Sequence, residues 1–226
     1  MPDAPRLRPA LAFSRSPLAA AGVIVAGLTT AAFRMVGPIY GIEVGLNNDQ
    51  IAFFLAAFVA GGAVAQYPAG WLADRYDRRW VLIWLSAAGI AACAFTITFS
   101  SGTTAVMISS AVFGFMTFPI YSVSAAHAHD FATNEERVEL SAALMFLYAL
   151  GAIASPYIAS GLIENYGSSA MFLFISAAHF VLIVFGLARM RARPTNELRT
   201  TYIYAPRTTF GTGKLFARLR ENRKSP

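Results

Sequence analysis

Two ionisable side chains sit inside stretches that are otherwise apolar: Arg34, within Pro17 to Gly37, and His179, within Ser169 to Met190. Arg34 lies about one turn from the outer end of its stretch. A guanidinium there either binds an anionic substrate or snorkels outward towards Glu43 or Glu164. His179 is mid-way along its segment and either relays a proton or serves as a hydrogen-bonded packing group. Gln66, Tyr121 and Tyr148 are uncharged polar groups that could line a polar cavity, with ordinary helix packing as the alternative. Nothing offers hydrolytic or redox chemistry. The chain has no G-x-S-x-G elbow, H-E-x-x-H pair, Walker loop or G-x-G-x-x-G fingerprint, so neither an enzyme nor an ATP-driven pump is expected. Cys93 is the single cysteine. With no disulfide framework and no C-x-x-C spacing, it reads as packing, and neither a metal nor a cofactor is expected.

The elements that must position these groups follow from composition. The 226 residues are 56% hydrophobic and only 13% charged. No Asp, Glu, Lys or Arg occurs between Gln50 and Ala73 or between Trp80 and His129. Such gaps are the length of a bilayer crossing, which takes about 20 residues of helix because lipid satisfies no backbone amide. Six apolar segments appear: Pro17 to Gly37, Asp49 to Ala69, Trp80 to Phe99, Thr104 to Ala126, Val138 to Ile163 and Ser169 to Met190. Turn residues separate them, among them Gly37-Pro38, Asn47-Asn48-Asp49 and Asn165-Tyr166-Gly167. The fold expected is all-α, a six-helix transmembrane bundle over residues 17–190 between a short N-terminal segment (1–16) and a basic tail (191–226).

Charge orients the bundle. Of the 18 Lys and Arg residues, Arg34 lies inside the first span, and the other seventeen lie on one side, in loops, tails or the last residues of a span: Arg6, Arg8 and Arg15, then Arg75, Arg78 and Arg79, then Arg137, then the ten from Arg189 onward. The opposite loops carry Glu43, Asp49 and Glu164. The positive-inside rule therefore places both termini in the cytoplasm. The basic residues cluster in loops and a tail without interleaved aromatics, which argues against nucleic acid as a partner. Lys214 to Lys224 either forms a basic amphipathic helix on anionic lipid or is a solvated tail.

The most specific pattern is Gly70-Trp71-Leu72-Ala73-Asp74-Arg75-Tyr76-Asp77-Arg78-Arg79, between the second and third segments. Gly70 would let two helices approach at a tight reversal, Asp74 would accept hydrogen bonds from a neighbouring helix N-terminus, and the arginines would anchor the loop at the headgroups. A helix-capping signature, Thr133-Asn134-Glu135-Glu136, precedes the fifth segment. Pro119 and Pro156 fall inside the fourth and fifth segments, where each bends a helix, as part of a gate or of a merely curved bundle. Gly151 with Ser155, and Gly61 with Ala65 and Ala69, give small-residue spacing suited to close helix packing.

The Gly70 to Arg79 stretch resembles the cytoplasmic signature loop of the major facilitator superfamily, G-x-x-x-D-[RK]-x-G-[RK]-[RK]. Gly70, Asp74, Arg75, Arg78 and Arg79 match, and Asp77 replaces the last glycine, which suits the C-terminal copy of the loop better. Gly37-Pro38-Ile39-Tyr40, Pro119-Ile120-Tyr121 through Ala126-His127-Ala128-His129-Asp130, and Tyr148-Ala149-Leu150-Gly151 through Ser155-Pro156 resemble the second half of bacterial members. The resemblance implies one of two six-helix bundles with a solute site between them and alternating access. It also implies a conformational latch at Gly70, Asp74, Arg75, Arg78 and Arg79, with Asp74 engaging a helix start in the opposite bundle.

The function expected is secondary transport of a small solute, with or without a coupling ion, in a bacterial-type inner membrane. The partner bundle would lie on the same gene, on a separate gene or in a second copy of this chain. A non-transporting scaffold or sensor acting through the tail is the alternative. A C-terminal epitope should be unreactive to antibody on intact spheroplasts and reactive after permeabilisation; labelling before permeabilisation refutes the assigned orientation.

Overall fold

The computed structural model describes residues 7–98 and 102–192. The basic tail, including Lys214 to Lys224, lies outside the described residues. Among the described residues every regular element is helical, as expected. Six helices are long and apolar enough to cross a bilayer: Pro17–Glu43, Asn48–Arg75, Arg78–Thr98, Thr103–His129, Arg137–Tyr166 and Ala170–Arg191, here the first to sixth spans. A short helix, Pro9–Arg15, precedes them. Ser16 ends it and caps the first span, its hydroxyl accepting the Ala19 N–H at 3.2 Å.

The spans start and stop for local reasons. Asn47 and Gln50 form a reciprocal capping box at the second span, with both hydrogen bonds at 2.9 Å, which satisfies two amides left over at a helix start. On the side away from the basic ends, Gly45 (φ 86°) and Gly167 (φ 81°) turn the chain in a conformation that a Cβ would strain. The fifth span begins at Arg137, later than its capping signature suggests. Only half of that box forms, the Glu136 carboxylate accepting the Thr133 N–H at 3.2 Å.

Gly37-Pro38 is not a turn. The first span runs through it as an α-helix to Ala31, a π-helical turn over Ala32–Val36, and α-helix again from Gly37 to Glu43. Pro38 explains the π-turn: it has no N–H for the Arg34 carbonyl four residues earlier, and its ring crowds that carbonyl. Pro119 separates two helical pieces, Thr103–Thr117 and Pro119–His129, across Phe118 in helical conformation. Pro68 and Pro156 sit within continuous helices.

Packing sets the spans in a row, second, fourth, first and fifth, with the third and sixth behind it. Glycines make the row close. A Cβ on Gly114 would stand 2.0 Å from the Phe58 carbonyl oxygen, one on Gly61 2.0 Å from that of Ala111, one on Gly27 2.1 Å from that of Tyr148, and one on Gly151 2.4 Å from that of Ile24. The small-residue stripes of the second and fifth spans therefore pack as their spacing implies. Ala65 and Ala69 are buried, and the Ser155 hydroxyl donates to the Leu28 carbonyl at 2.6 Å. Away from the basic ends, an aromatic cluster joins four spans, with Phe33 stacked on Phe54 (4.9 Å), Phe58 (4.4 Å) and Phe113 (4.9 Å). Tyr40 meets Phe172 edge to face, and aromatic pairs of this kind add about 0.5–1.5 kcal/mol beyond area burial.

Gly114→Ala should lower the melting temperature of the purified protein, since overpacking against a backbone costs about 1–3 kcal/mol. Gly70→Ala should leave it unchanged or raise it, because a Cβ there meets nothing within 4 Å and Ala is favoured over Gly in a helix by about 1 kcal/mol. Equal effects at the two positions would refute this packing scheme.

Candidate functional site

Two regions carry the residues singled out by sequence. The first is the basic end between the second and third spans. The second span continues to Arg75, so Gly70 lies inside a helix on an open face. The reading of Gly70 as the close-approach point of a reversal is corrected; within this bundle nothing approaches it. Arg75 lies over the Trp71 ring, 4.6 Å from its centroid. Asp77, the residue in place of glycine, accepts the Arg79 backbone N–H at 3.0 Å and the Arg79 guanidinium at 2.8 Å. An acidic side chain at that point relieves an unpaired amide in the first turn of the third span and favours its dipole.

Arg78 is the organising cation. Its guanidinium donates to the Ala73 carbonyl (3.3 Å), the Ala126 carbonyl (2.9 Å) and the Asp130 carboxylate. It therefore ties the end of the second span to the end of the fourth. Asp74 is 3.5 Å from Arg78, and its side chain is 62% exposed. Asp74 meets no helix start within this bundle; its acceptor capacity faces outward.

Sequence reasoning missed a neighbouring clasp. Arg15 pairs with Glu136, and Arg8 with Glu139 at 3.5 Å, so the short N-terminal helix is bound to the start of the fifth span. The hydrogen bond from Arg15 holds the Glu136 carboxyl below the usual carboxylate range. Only the arginines hinted at this, because the pairing joins positions more than a hundred residues apart.

The second region is the open face of the four-span row. The Ser122 hydroxyl donates to the Gln66 side-chain oxygen at 2.9 Å, linking the second and fourth spans on an exposed surface. Tyr121 and Tyr148 meet edge to face with centroids 5.3 Å apart, both half-buried, on the fourth and fifth spans. Arg34 is exposed on the first span, within the π-turn. Nine residues separate it from Glu43 at the span's end, about 13 Å at 1.5 Å per residue. This corrects its depth from one turn to more than two. The outward pairing does not form. Glu43 accepts the Ser168 N–H at 3.2 Å instead, and Arg34 has no hydrogen bond or ion pair among the described residues.

His179 is not part of either region. It is fully buried on the sixth span, one ring nitrogen 3.1 Å from the Thr29 hydroxyl. Its Nδ1 has no partner among the described residues. It packs near Gly89 of the third span, on the side of the first span away from the open row. Of the five pathway candidates, then, Arg34, Gln66, Tyr121 and Tyr148 share one face and His179 does not. Ser122 joins that face unforeseen through its bond to Gln66, since a single hydroxyl in an apolar stretch carries no spacing signal. Cys93 is buried, and no cluster of metal-ligating side chains occurs among the described residues.

Residues 19–223 match the Major Facilitator Superfamily. The chain belongs to that superfamily. It is a multi-pass membrane protein of a transporter family, not of an enzyme family. Among curated superfamily proteins it is 28% identical over 193 residues to an uncharacterized MFS-type transporter of Enterobacter sp. (strain 638), covering 85% of this chain and 50% of that protein. It is 26% identical over 170 residues to the uncharacterized MFS-type transporter YcaD of Escherichia fergusonii, covering 75% and 44%. The chain thus spans about half the length of these relatives. Its fold is similar to the POT family transporter PepTSo, with TM-score 0.68 and 14% identity over 96% of this chain and 46% of that one. An auto-inhibited POT family peptide transporter aligns with TM-score 0.67 and 14% identity over 91% of this chain and 45% of that chain. At 14% identity the superfamily fold is shared and the substrate is not implied.

The Arg15 pair sets a pH dependence. A carboxyl with a lowered folded pKa stabilises the native state above its unfolded value, near 4.3, and loses that contribution as pH falls through the folded value. Thermal stability should therefore decline below about pH 4 less steeply in Glu136→Gln than in wild type; identical profiles would remove the pair from the account.

Proposed function

We propose that this chain is a six-helix half, of the C-terminal type, of a secondary transporter that moves a small solute across a bacterial inner membrane with both termini cytoplasmic. It acts with a second six-helix bundle, on a longer form of the same polypeptide, a separate polypeptide or a second copy. The bundle comprises residues 17–190, and residues 191–226 form a basic tail. One observation carries the reading: the exposed row of the second, fourth, first and fifth spans gathers Arg34, the Gln66 and Ser122 pair and the Tyr121 and Tyr148 pair at membrane depth. Polar groups on a lipid-facing surface are costly, so such a face is built for a water-filled path or a second bundle. The matched region is about half of these relatives, which leaves room in them for a second bundle and supports this reading.

Asp74 serves as the latch acceptor towards the opposite bundle, with Gly70, Arg75, Arg78 and Arg79 holding the turn beneath it. Asp77 in place of glycine supports the C-terminal assignment. The solute pools of cells with and without the chain, compared by mass spectrometry, test the proposal. At least one solute should differ, and Asp74→Asn at normal membrane abundance should reduce its transport by about tenfold or more, about 1.4 kcal/mol. Deletion of residues 195–226 should leave transport intact. The reverse pattern, transport untouched by Asp74→Asn and a phenotype lost with the tail, would make the chain a scaffold or sensor.

A further inference from the structure

We propose that the transported solute is an organic anion and that its carboxylate, or an equivalent anionic group, seats on Arg34. The proposal rests on the transporter reading and adds the substrate class. Its starting point is a guanidinium at membrane depth, more than two turns from the end of its span, that is exposed and unpaired among the described residues. An unpaired cation at that depth is expensive unless a partner or water-filled cavity meets it.

The neighbouring residues say where Arg34 points. Phe33, one residue earlier, turns into the aromatic cluster of the second and fourth spans. Gly27 and Leu28, one and a half to two turns below, press on Tyr148 and Ser155 of the fifth span. Arg34 emerges between these two contacts, at the seam of the fourth and fifth spans. Thr30, half-buried, lies one turn below it on the same span. The Tyr148 backbone lies beside Gly27, seven residues from Arg34 and so about 10 Å lower along the axis. Arg34 and Tyr148 thus stand about 10 Å apart along the axis, a separation that a small organic acid can bridge. Its charged end would meet Arg34 in a charge-assisted hydrogen bond, and its body would meet the two tyrosine rings.

Pro38 makes the arrangement specific to this segment. By withholding an N–H from the Arg34 carbonyl it forces the π-turn at Ala32–Val36, and such turns re-aim the side chains they carry. The carboxylates of the same bundle do not compete. Glu43 is engaged by the Ser168 N–H. Glu164 lies further out on the fifth span and forms no ion pair with Arg34 among the described residues. Its register follows from the parallel contacts of Ile24 with Gly151 and of Leu28 with Ser155.

Thermal protection of the full-length purified protein tests the proposal, read with a thiol-reactive dye that reports exposure of the buried Cys93. The probes are a panel of aliphatic and aromatic monocarboxylates, dicarboxylates and phosphate monoesters, each beside its neutral amide or ester. At least one anion should raise the melting temperature while its neutral counterpart does not. Arg34→Gln should weaken that protection by about tenfold or more, and Arg34→Lys should keep part of it. Protection by neutral solutes alone, or protection that survives Arg34→Gln, overturns the anion assignment and leaves the transporter reading standing. No protection by any probe overturns the assignment as well, and with unchanged solute pools it removes both. If Glu164→Gln lowers the unliganded melting temperature as Arg34→Gln does, or if Arg34→Gln breaks an assembly seen by crosslinking, Arg34 is a structural partner of a protein carboxylate and the proposal fails.

Discussion

A polypeptide inside hydrocarbon has no water to bond its amides, and each unpaired group there costs several kcal/mol. That constraint governs this chain more than any single contact. It confines the described residues of the spans to helix and makes a break more expensive than a distortion. In water, Gly37-Pro38 would end a helix. Here the first span continues through it, and the loss at Pro38 is absorbed as a π-turn. Pro119 is absorbed as a bend with Phe118 still helical, and Pro68 and Pro156 lie within unbroken helices. The distortion that places Arg34 on the open face is a by-product of keeping the backbone bonded.

Helices so formed still need a reason to associate, because lipid tails are as apolar as leucine. The reason is contact of backbone with backbone. Gly27, Gly61, Gly114 and Gly151 each face a carbonyl that a methyl group would strike, and together they fix two junctions of the front row, the second span on the fourth and the first on the fifth. Aromatic stacking around Phe33 closes the end away from the basic loops. Small hydroxyl side chains such as Ser110 and Ser155 are buried among these contacts, whereas Gln66 and Ser122 are left exposed, where they find each other.

The legible part of this architecture was the part written in long runs. Membrane-length gaps without charge gave six spans, because such a gap is a sum over many residues. Gly61 with Ala65 and Ala69, and Gly151 with Ser155, were legible as packing stripes, yet their partners were not. A stripe says that something comes close, while Ala111, Ile24 and Leu28 are known only once the helices are placed. The depth of Arg34 is not legible in sequence, because Gly37-Pro38 ends a helix in water and does not end one here. The setting of Gly70 is hidden for a related reason: the helix outlasts its apolar stretch and runs on to Arg75. The pairing of Arg15 with Glu136 and of Arg78 with Asp130 joins distant loops, and no local pattern encodes it.

The basic end divides labour between two oppositely charged residues that sequence alone groups together. Arg78 is mostly covered and reaches the Ala73 and Ala126 carbonyls and the Asp130 carboxylate. Removing it would leave several acceptors unpaired at once, a cost that non-additive networks make larger than any one bond. Asp74 has a single, largely exposed pairing with Arg78, of a kind worth less than about 1 kcal/mol. Arg78 holds the ends of the second and fourth spans together through several bonds at once, whereas Asp74 keeps most of its acceptor capacity exposed and exchanges a partner at little cost.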